Sequence, residues 1–257
     1  MDQPHAVNDF ISRLFPPFTG EPLFDQLPDI VYFIKNRCGE YVVVNSTLVE
    51  RCGLRNKLQL IGRTPSQVLR PPLGLSFEAQ DRYVIQTGQP LLSKLELHIY
   101  PSRDVGWCLT HKLPLRDRAG TVVGLVGVSQ DLRVPDPSSE AFRHVSIAVS
   151  YAKDHLASPP SVKELAELAE MSPYQLDRRM RHVFGLTTGQ WLLKQRIDRA
   201  QWLLQFSDDA VSSIAIQAGY ADQSAFTRQF RKATGLSPSD YRTITRQQSG
   251  SETGSKR

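Results

Sequence analysis

Apolar positions follow two different rhythms along this chain. Up to about residue 133, short β-branched runs alternate with brief helical stretches; beyond it nearly every apolar residue recurs at helical spacing, with Gly and Pro only at element ends. The runs Ile30–Lys35 and Tyr41–Asn45 predict two strands joined by a tight turn at 36–40. Helical stretches follow from Ser46 to Gln89, punctuated by Gly53, Gly62, Pro65, Pro71 and Pro72. Three more strands are expected at Leu91–Tyr100, Val105–Leu115 and Val122–Asp131, the last two joined by the turn 116–120. Ahead of them, Val7, Phe10, Ile11 and Leu14 form a helical stripe, so residues 1–24 are expected as a helical extension. Residues 25–133 then form one mixed domain, the proline-bearing stretch 134–140 a linker, and 141–246 an all-α domain, an α+β chain as a whole. The polar, Gly/Ser-rich tail 247–257 is expected to be disordered.

The all-α domain contains a repeat. Val162, Leu165, Ala166, Ala169, Leu176, Arg178, Met180 and Arg181 recur as Val211, Ile214, Ala215, Ala218, Phe226, Arg228, Phe230 and Arg231. The offset is 49 residues before the turn and 50 after it, so the second copy has a turn one residue longer. Each copy (161–185 and 210–235) predicts helix, tight turn, helix. Ser161 with Glu164 is a capping box, and Ser172 caps a helix with Pro173 first and Gln175 third. In the second copy Asp209 is expected to cap the first helix, Gly219 to end it and Asp222 to cap the next. Between the copies, Thr187 to Phe206 predicts one long helix, a rod of roughly 27 Å at 1.5 Å per residue.

On the second helix of each copy, Leu176, Met180 and Val183, and likewise Phe226, Phe230 and Ala233, fall on one arc. Tyr174, Arg178 and Arg181, and in turn Ser224, Arg228 and Arg231, fall opposite. Arginine can bond guanine O6 and N7 with two parallel donors, or clamp a phosphate. Tyr174 and Gln223 sit near helix N-termini, where a helix in a groove touches base edges. Asp177 has two readings, an acceptor for a cytosine amine or a partner for Arg181 four residues on. A charged helix face is often only solvated; the same arginine pair after two matching turns favours DNA contact.

Charge placement agrees. The net charge is +5; residues 1–140 hold 15 basic and 15 acidic side chains, while 141–246 hold 14 and 10. No apolar run approaches the ~18 residues of a membrane span, the N-terminus is not a secretory signal, and Cys38, Cys52 and Cys108 lack C-x-x-C spacing. A cytoplasmic chain without metal or disulfide scaffold is expected. Catalysis is not expected either: P-loop, nucleophile elbow and H-E-x-x-H patterns are lacking, and Cys108 and His111 fall on opposite strand faces.

At these residues the C-terminal part resembles the AraC/XylS family of transcription regulators. The segments SVKELAELAEMSPYQLDRRMRHVFGLTTGQWLLKQRIDRAQWLL and VSSIAIQAGYADQSAFTRQFRKATGLSPSDYR carry the resemblance. It implies a seven-helix domain whose two helix-turn-helix units enter adjacent major-groove segments of a promoter. It also implies recognition positions at Tyr174, Asp177, Arg178 and Arg181, then Gln223, Ser224, Thr227, Arg228 and Arg231. One departure is Arg179-Met180, where members often have Leu-Phe. The function implied is a DNA-binding regulator, more often an activator, with RNA polymerase as a further partner. The alternative is a protein-interaction module that does not bind DNA.

Residues 25–133 resemble a PAS domain through LPDIVYFIKNRCGEYVVVN and LPLRDRAGTVVGLVGVSQDLR. The resemblance implies one five-stranded antiparallel sheet with helices, acting as a sensor or as the dimerisation module of a homodimer. On the fourth strand Val105, Trp107, Leu109, His111 and Leu113 share one face and Cys108, Thr110 and Lys112 the other. If the apolar face lines a pocket, Trp107 and His111 anchor a ligand; otherwise His111 is a core histidine bonded to protein. Haem-binding members carry a histidine on the long helix and photoactive flavin members a cysteine before it, and 76–88 and 62–69 have neither. No cofactor is therefore expected, and a small organic effector is the ligand class left open.

Overall fold

The computed structural model describes residues 10, 13–15, 17–69, 73–99, 105–132 and 135–252. The chain divides after Asp131 into two compact units. The first contains α1 (Glu21–Phe24), β1 (Ile30–Asn36), β2 (Tyr41–Val44), α2 (Ser46–Arg51), a 3-10 turn at Lys57–Gln59, α3 (Pro65–Val68), α4 (Leu73–Thr87), β3 (Leu91–Ile99), β4 (Val105–Arg116) and β5 (Val122–Asp131). The five strands form one sheet in the order β2-β1-β5-β4-β3. Of the apolar stripe predicted near the N-terminus, Val7 and Ile11 lie outside the described residues.

Local chemistry fixes the turns. Asn36 Oδ1 accepts the Cys38 and Glu40 amides (3.0 and 3.1 Å), and Gly39 takes φ +80°, closing the β1–β2 hairpin. The fully buried Asn45 then joins three elements. Its Oδ1 accepts the Tyr32 and Leu48 amides, at 3.0 and 3.3 Å, and its Nδ2 donates to the Ile30 and Phe24 carbonyls, at 2.7 and 3.2 Å.

The register sets the inner face of the sheet in rows. Val31, Ser129 and Thr110 form one, and Phe33, Gly127 and Lys112 the next. The Phe33 ring lies across Gly127, where a Cβ would sit 2.4 Å from it. Val31, Phe33, Tyr41, Val44, Leu48, Val49, Leu60, Val84 and Leu125 build an apolar core beside this row.

The second unit begins with a one-turn helix α5 (Glu140–Arg143), capped by Ser139. Seven helices follow: α6 (Ser146–Asp154), α7 (Val162–Leu168), α8 (Pro173–Phe184), α9 (Thr188–Phe206), α10 (Val211–Gln217), α11 (Gln223–Thr234) and α12 (Pro238–Glu252). Helix α12 continues to Glu252, where a disordered tail was expected from 247; no proline interrupts 239–252, so the backbone ladder runs on past Gly250. Residues 253–257 lie outside the described residues.

Candidate nucleic-acid interface

The two helix-turn-helix units are copies down to their turn bonds. After α7 the Glu170 amide bonds the Glu167 carbonyl (3.1 Å) and the Met171 amide the Ala166 carbonyl (2.9 Å). After α10 the Gly219 amide bonds Ile216 and the Tyr220 amide bonds Ala215, both at 2.9 Å. Both are Schellman closures with the residue after the cap in left-handed backbone, φ +53° at Glu170 and +79° at Gly219. Each second helix ends at a left-handed glycine, Gly185 and Gly235.

The caps form with one exception. Ser161 and Glu164, and Ser172 and Gln175, exchange both capping-box bonds. Asp222 Oδ1 accepts the Ala225 amide at 2.7 Å. Asp209 does not cap α10. Ala210 stands at that position without a side-chain bond, because Asp209 Oδ2 accepts instead from Gln217 Nε2 at 2.9 Å.

Leu176 and Met180 on α8, and Phe226, Phe230 and Ala233 on α11, are buried. Tyr174, Arg178 and Arg181, with Gln223, Ser224, Arg228 and Arg231, are exposed, and Thr227 is half-buried. Tyr174 keeps 74% of its surface in solvent, an unusual state for a large ring without a partner to cover it. Arg179, beside the core Met180, is also exposed. Each unit thus presents two arginines, one turn apart, opposite its apolar stripe.

Asp177, read from the sequence as a base acceptor or as a partner for Arg181, meets Arg181 and a further partner within the protein. Its Oδ1 accepts the Thr188 amide (2.8 Å) and hydroxyl (2.6 Å), while Oδ2 lies 3.9 Å from the Arg181 guanidinium. The half-buried carboxylate holds α8 to the start of α9; this partner, eleven residues on, is one that helical periodicity does not reveal.

In the first unit the inner face of β4 is the polar one. Lys112 Nζ donates to Asp81 Oδ1 at 2.6 Å and Lys35 Nζ to Asp81 Oδ2 at 2.5 Å, with all three side chains at most 3% exposed. Thr110 and Ser129 share a hydrogen bond at 3.0 Å, and Cys108 Sγ lies 3.5 Å from His98 Nδ1 and 3.2 Å from Asp131 Oδ1. Alternation therefore puts Trp107 and His111 on the opposite face, away from the side on which α4 supplies Asp81. Trp107 is buried, and His111 Nδ1 accepts the Ser93 amide at 3.3 Å. Of the two readings of His111, an anchor for a ligand or a histidine bonded to protein, its bond from the Ser93 amide fits the second, and the buried lysines with their shared carboxylate occupy the other face.

Burial without solvent pulls the Lys35 ammonium down to about 8, against the opposing pull of Asp81. Burial likewise tends to raise the Asp81 carboxyl, but Lys112 and Lys35 together hold it below the usual range. Lys35 also lies 4.2 Å from the Tyr41 ring centre and 4.9 Å from that of Phe33. A cleft of about 640 Å³ reaches Asp81 from the surface, between Arg37 to Gly39, Thr64 to Gln67 and the outer side of α4.

Two helix-turn-helix units joined by a connecting helix define one unit as DNA-binding, and a five-stranded sheet with a charged interior defines the other as a sensor-type unit. The family described as "Helix-turn-helix domain" matches residues 165–244, and that described as "PAS fold" matches 24–134. The C-terminal unit is an AraC-type helix-turn-helix domain and the N-terminal unit a PAS fold. Among curated proteins, the transcriptional activator RhaS of Escherichia fergusonii is 34% identical over 94 residues, 37% of this chain and 34% of that protein. The MmsAB operon regulatory protein of Pseudomonas aeruginosa is 35% identical over 101 residues, 39% and 33% of the two chains. This chain thus spans about a third of the length of the curated relatives it matches. The DNA-binding domain of AdpA, solved with a target DNA, is 36% identical over 40% of this chain and 94% of that one, with a TM-score of 0.39. Among the described residues, no helix is long and apolar enough to cross a membrane.

Proposed function

We propose that this chain is a sequence-specific DNA-binding regulator of transcription, acting as an activator, with its PAS unit as the sensing half. The observation that carries the reading is the duplicated pair of exposed arginines, Arg178 with Arg181 and Arg228 with Arg231, each following the same turn. Arg178 and Arg228 read bases in successive major-groove segments; Tyr174, Gln223, Ser224 and Thr227 fill in contacts at the helix starts, and Arg181 and Arg231 approach phosphates. The relatives named as activators favour the positive sign of regulation, with RNA polymerase as the partner that responds. The sensing half takes a small organic effector, a role supported by the polar interior around Asp81, and a second copy of the chain is its dimer partner.

The deciding experiment is a titration of the chain into duplexes selected by it from a random pool, at several salt concentrations. Affinity should fall steeply with salt as counterions are released. Equal affinity for the wild type and for the Arg178→Ala/Arg228→Ala double variant removes the assignment.

A further inference from the structure

Each helix-turn-helix unit is tied to the connecting helix α9 by one charged side chain, and the two ties differ. In the first unit Asp177 reaches from the recognition helix to Thr188, the first residue of α9. In the second the direction reverses. Arg196, eight residues into α9, donates from Nε to the Ala218 carbonyl (3.0 Å) and from Nη2 to the Gly219 carbonyl (2.7 Å). Its guanidinium carbon lies 3.8 Å from the centre of the Tyr220 ring. Residues 218–220 are the start of the turn between α10 and the recognition helix α11.

Three features make this tie stiff. Two guanidinium donors bond successive carbonyls, so the plane of the group is fixed in rotation as well as position. The cation sits at the C-terminal end of α10, where backbone carbonyls lack intrahelical donors. The Tyr220 ring, 6% exposed, closes one face of the guanidinium and is itself packed on Phe226 of the recognition helix, ring centres 5.2 Å apart. A displacement of the turn relative to α9 must break all of these together. Lysine has three N–H donors on one nitrogen but no planar fork and no flat face to lie on the ring, so it cannot reproduce the set.

We propose that Arg196 is a positioning residue for DNA recognition: it fixes the second recognition helix on the connecting rod, so that the protein measures the spacing between its two base-contact segments. With Nε and Nη2 committed to backbone carbonyls, it acts through the turn and through Tyr220 rather than on the duplex. The inference rests on the DNA-binding reading above.

The test uses the 257-residue chain and duplexes that the wild type selects from a random pool. One series carries one or two base pairs inserted or deleted between the two contacted segments; another keeps only one segment. Each base pair moves the second segment by about 3.4 Å. The wild type should lose about tenfold or more in affinity on a single insertion, the cost of misplacing one set of base contacts. Arg196→Met should bind the best duplex about tenfold more weakly, lose no more than about twofold on insertion, and match the wild type on the single-segment duplex. Arg196→Lys should lie nearer to Arg196→Met than to the wild type. Tyr220→Leu, which keeps the carbonyl bonds and removes the ring, should flatten the spacing profile in part and supplies the test if Arg196→Met melts below the assay temperature. A steep insertion penalty retained in a folded Arg196→Met or Tyr220→Leu overturns the inference and leaves DNA binding intact. Failure of the wild type to select any duplex overturns both.

Discussion

Between residues 135 and 246 the buried polar side chains are Thr188 and Thr234, whereas the PAS unit buries Lys35, Asp81 and Lys112 as one cluster, with His98, Thr110 and Ser129 on the same sheet face. The C-terminal unit packs Leu, Ile, Ala and Phe inside, which leaves Arg178, Arg181, Arg228 and Arg231 outside. The PAS unit places two ammoniums and one carboxylate where apolar contact would be the default. One unit is therefore held by shape, whereas the other carries beside its apolar core a charge balance that titration or a bound molecule can tip.

That contrast can be broken most sharply at Asp81. Asp81→Asn leaves two buried ammoniums without their shared carboxylate and should destabilise the PAS unit by about 3–5 kcal/mol. Hydrogen exchange on the intact chain should show faster exchange across β1, β4 and α4, with helices α7 to α11 unchanged. In the other unit shape should dominate. A Cβ at Gly219 would lie 2.3 Å from the Leu156 carbonyl oxygen, in backbone at φ +79°. Gly219→Ala should cost ~2–3 kcal/mol, read as a lower melting temperature.

Arg228→Ala should leave folding intact and weaken binding to a selected duplex by ~1–3 kcal/mol, with specificity relaxed at one base position. The charge cluster should also respond to pH in a defined direction. The Lys35 ammonium, held at about 8 when folded, keeps its proton to about 10.5 when unfolded. Between those values the unfolded state binds more protons, so stability rises with pH. The Cys52 thiol, pushed up to about 12 by burial, and the raised Tyr41 hydroxyl act oppositely above pH 9 to 10, because the unfolded state then loses protons first. A gain of about 1 kcal/mol from pH 7.5 to 9, followed by a fall, is expected. Lys35→Met should remove the gain in urea titrations across that range. The smallest effect lies at Glu170, the left-handed position that the second unit fills with glycine. Glu170→Gly should stabilise the first unit by about 0.5 kcal/mol, and a melting temperature unchanged or lowered contradicts that expectation.

Much of this was legible from residue order. The repeat offsets of 49 and 50 correspond to turns of four residues between α7 and α8 and five between α10 and α11. Period-3.6 spacing put Met180 and Phe230 inside and Arg178 and Arg228 outside, and all five strands lie within a residue or so of the runs that predicted them. What failed concerns partners distant in sequence. Alternation along β4 separates Trp107 and His111 from Thr110 and Lys112, but it does not say which set faces α4. That depends on Asp81, 31 residues from Lys112 and 46 from Lys35. Asp177 and Arg196 were likewise invisible as ties, since Thr188 and Ala218 lie 11 and 22 residues away along the chain.

The one-residue difference between the two turns gives the pair a polarity. Two reading heads that share a chain direction and differ in hinge length cannot be exchanged by rotating the molecule. On the DNA-binding reading proposed above, a duplex bound by them has a front and a back: turned end for end it becomes a different text, so a bound site need not repeat itself about a two-fold axis.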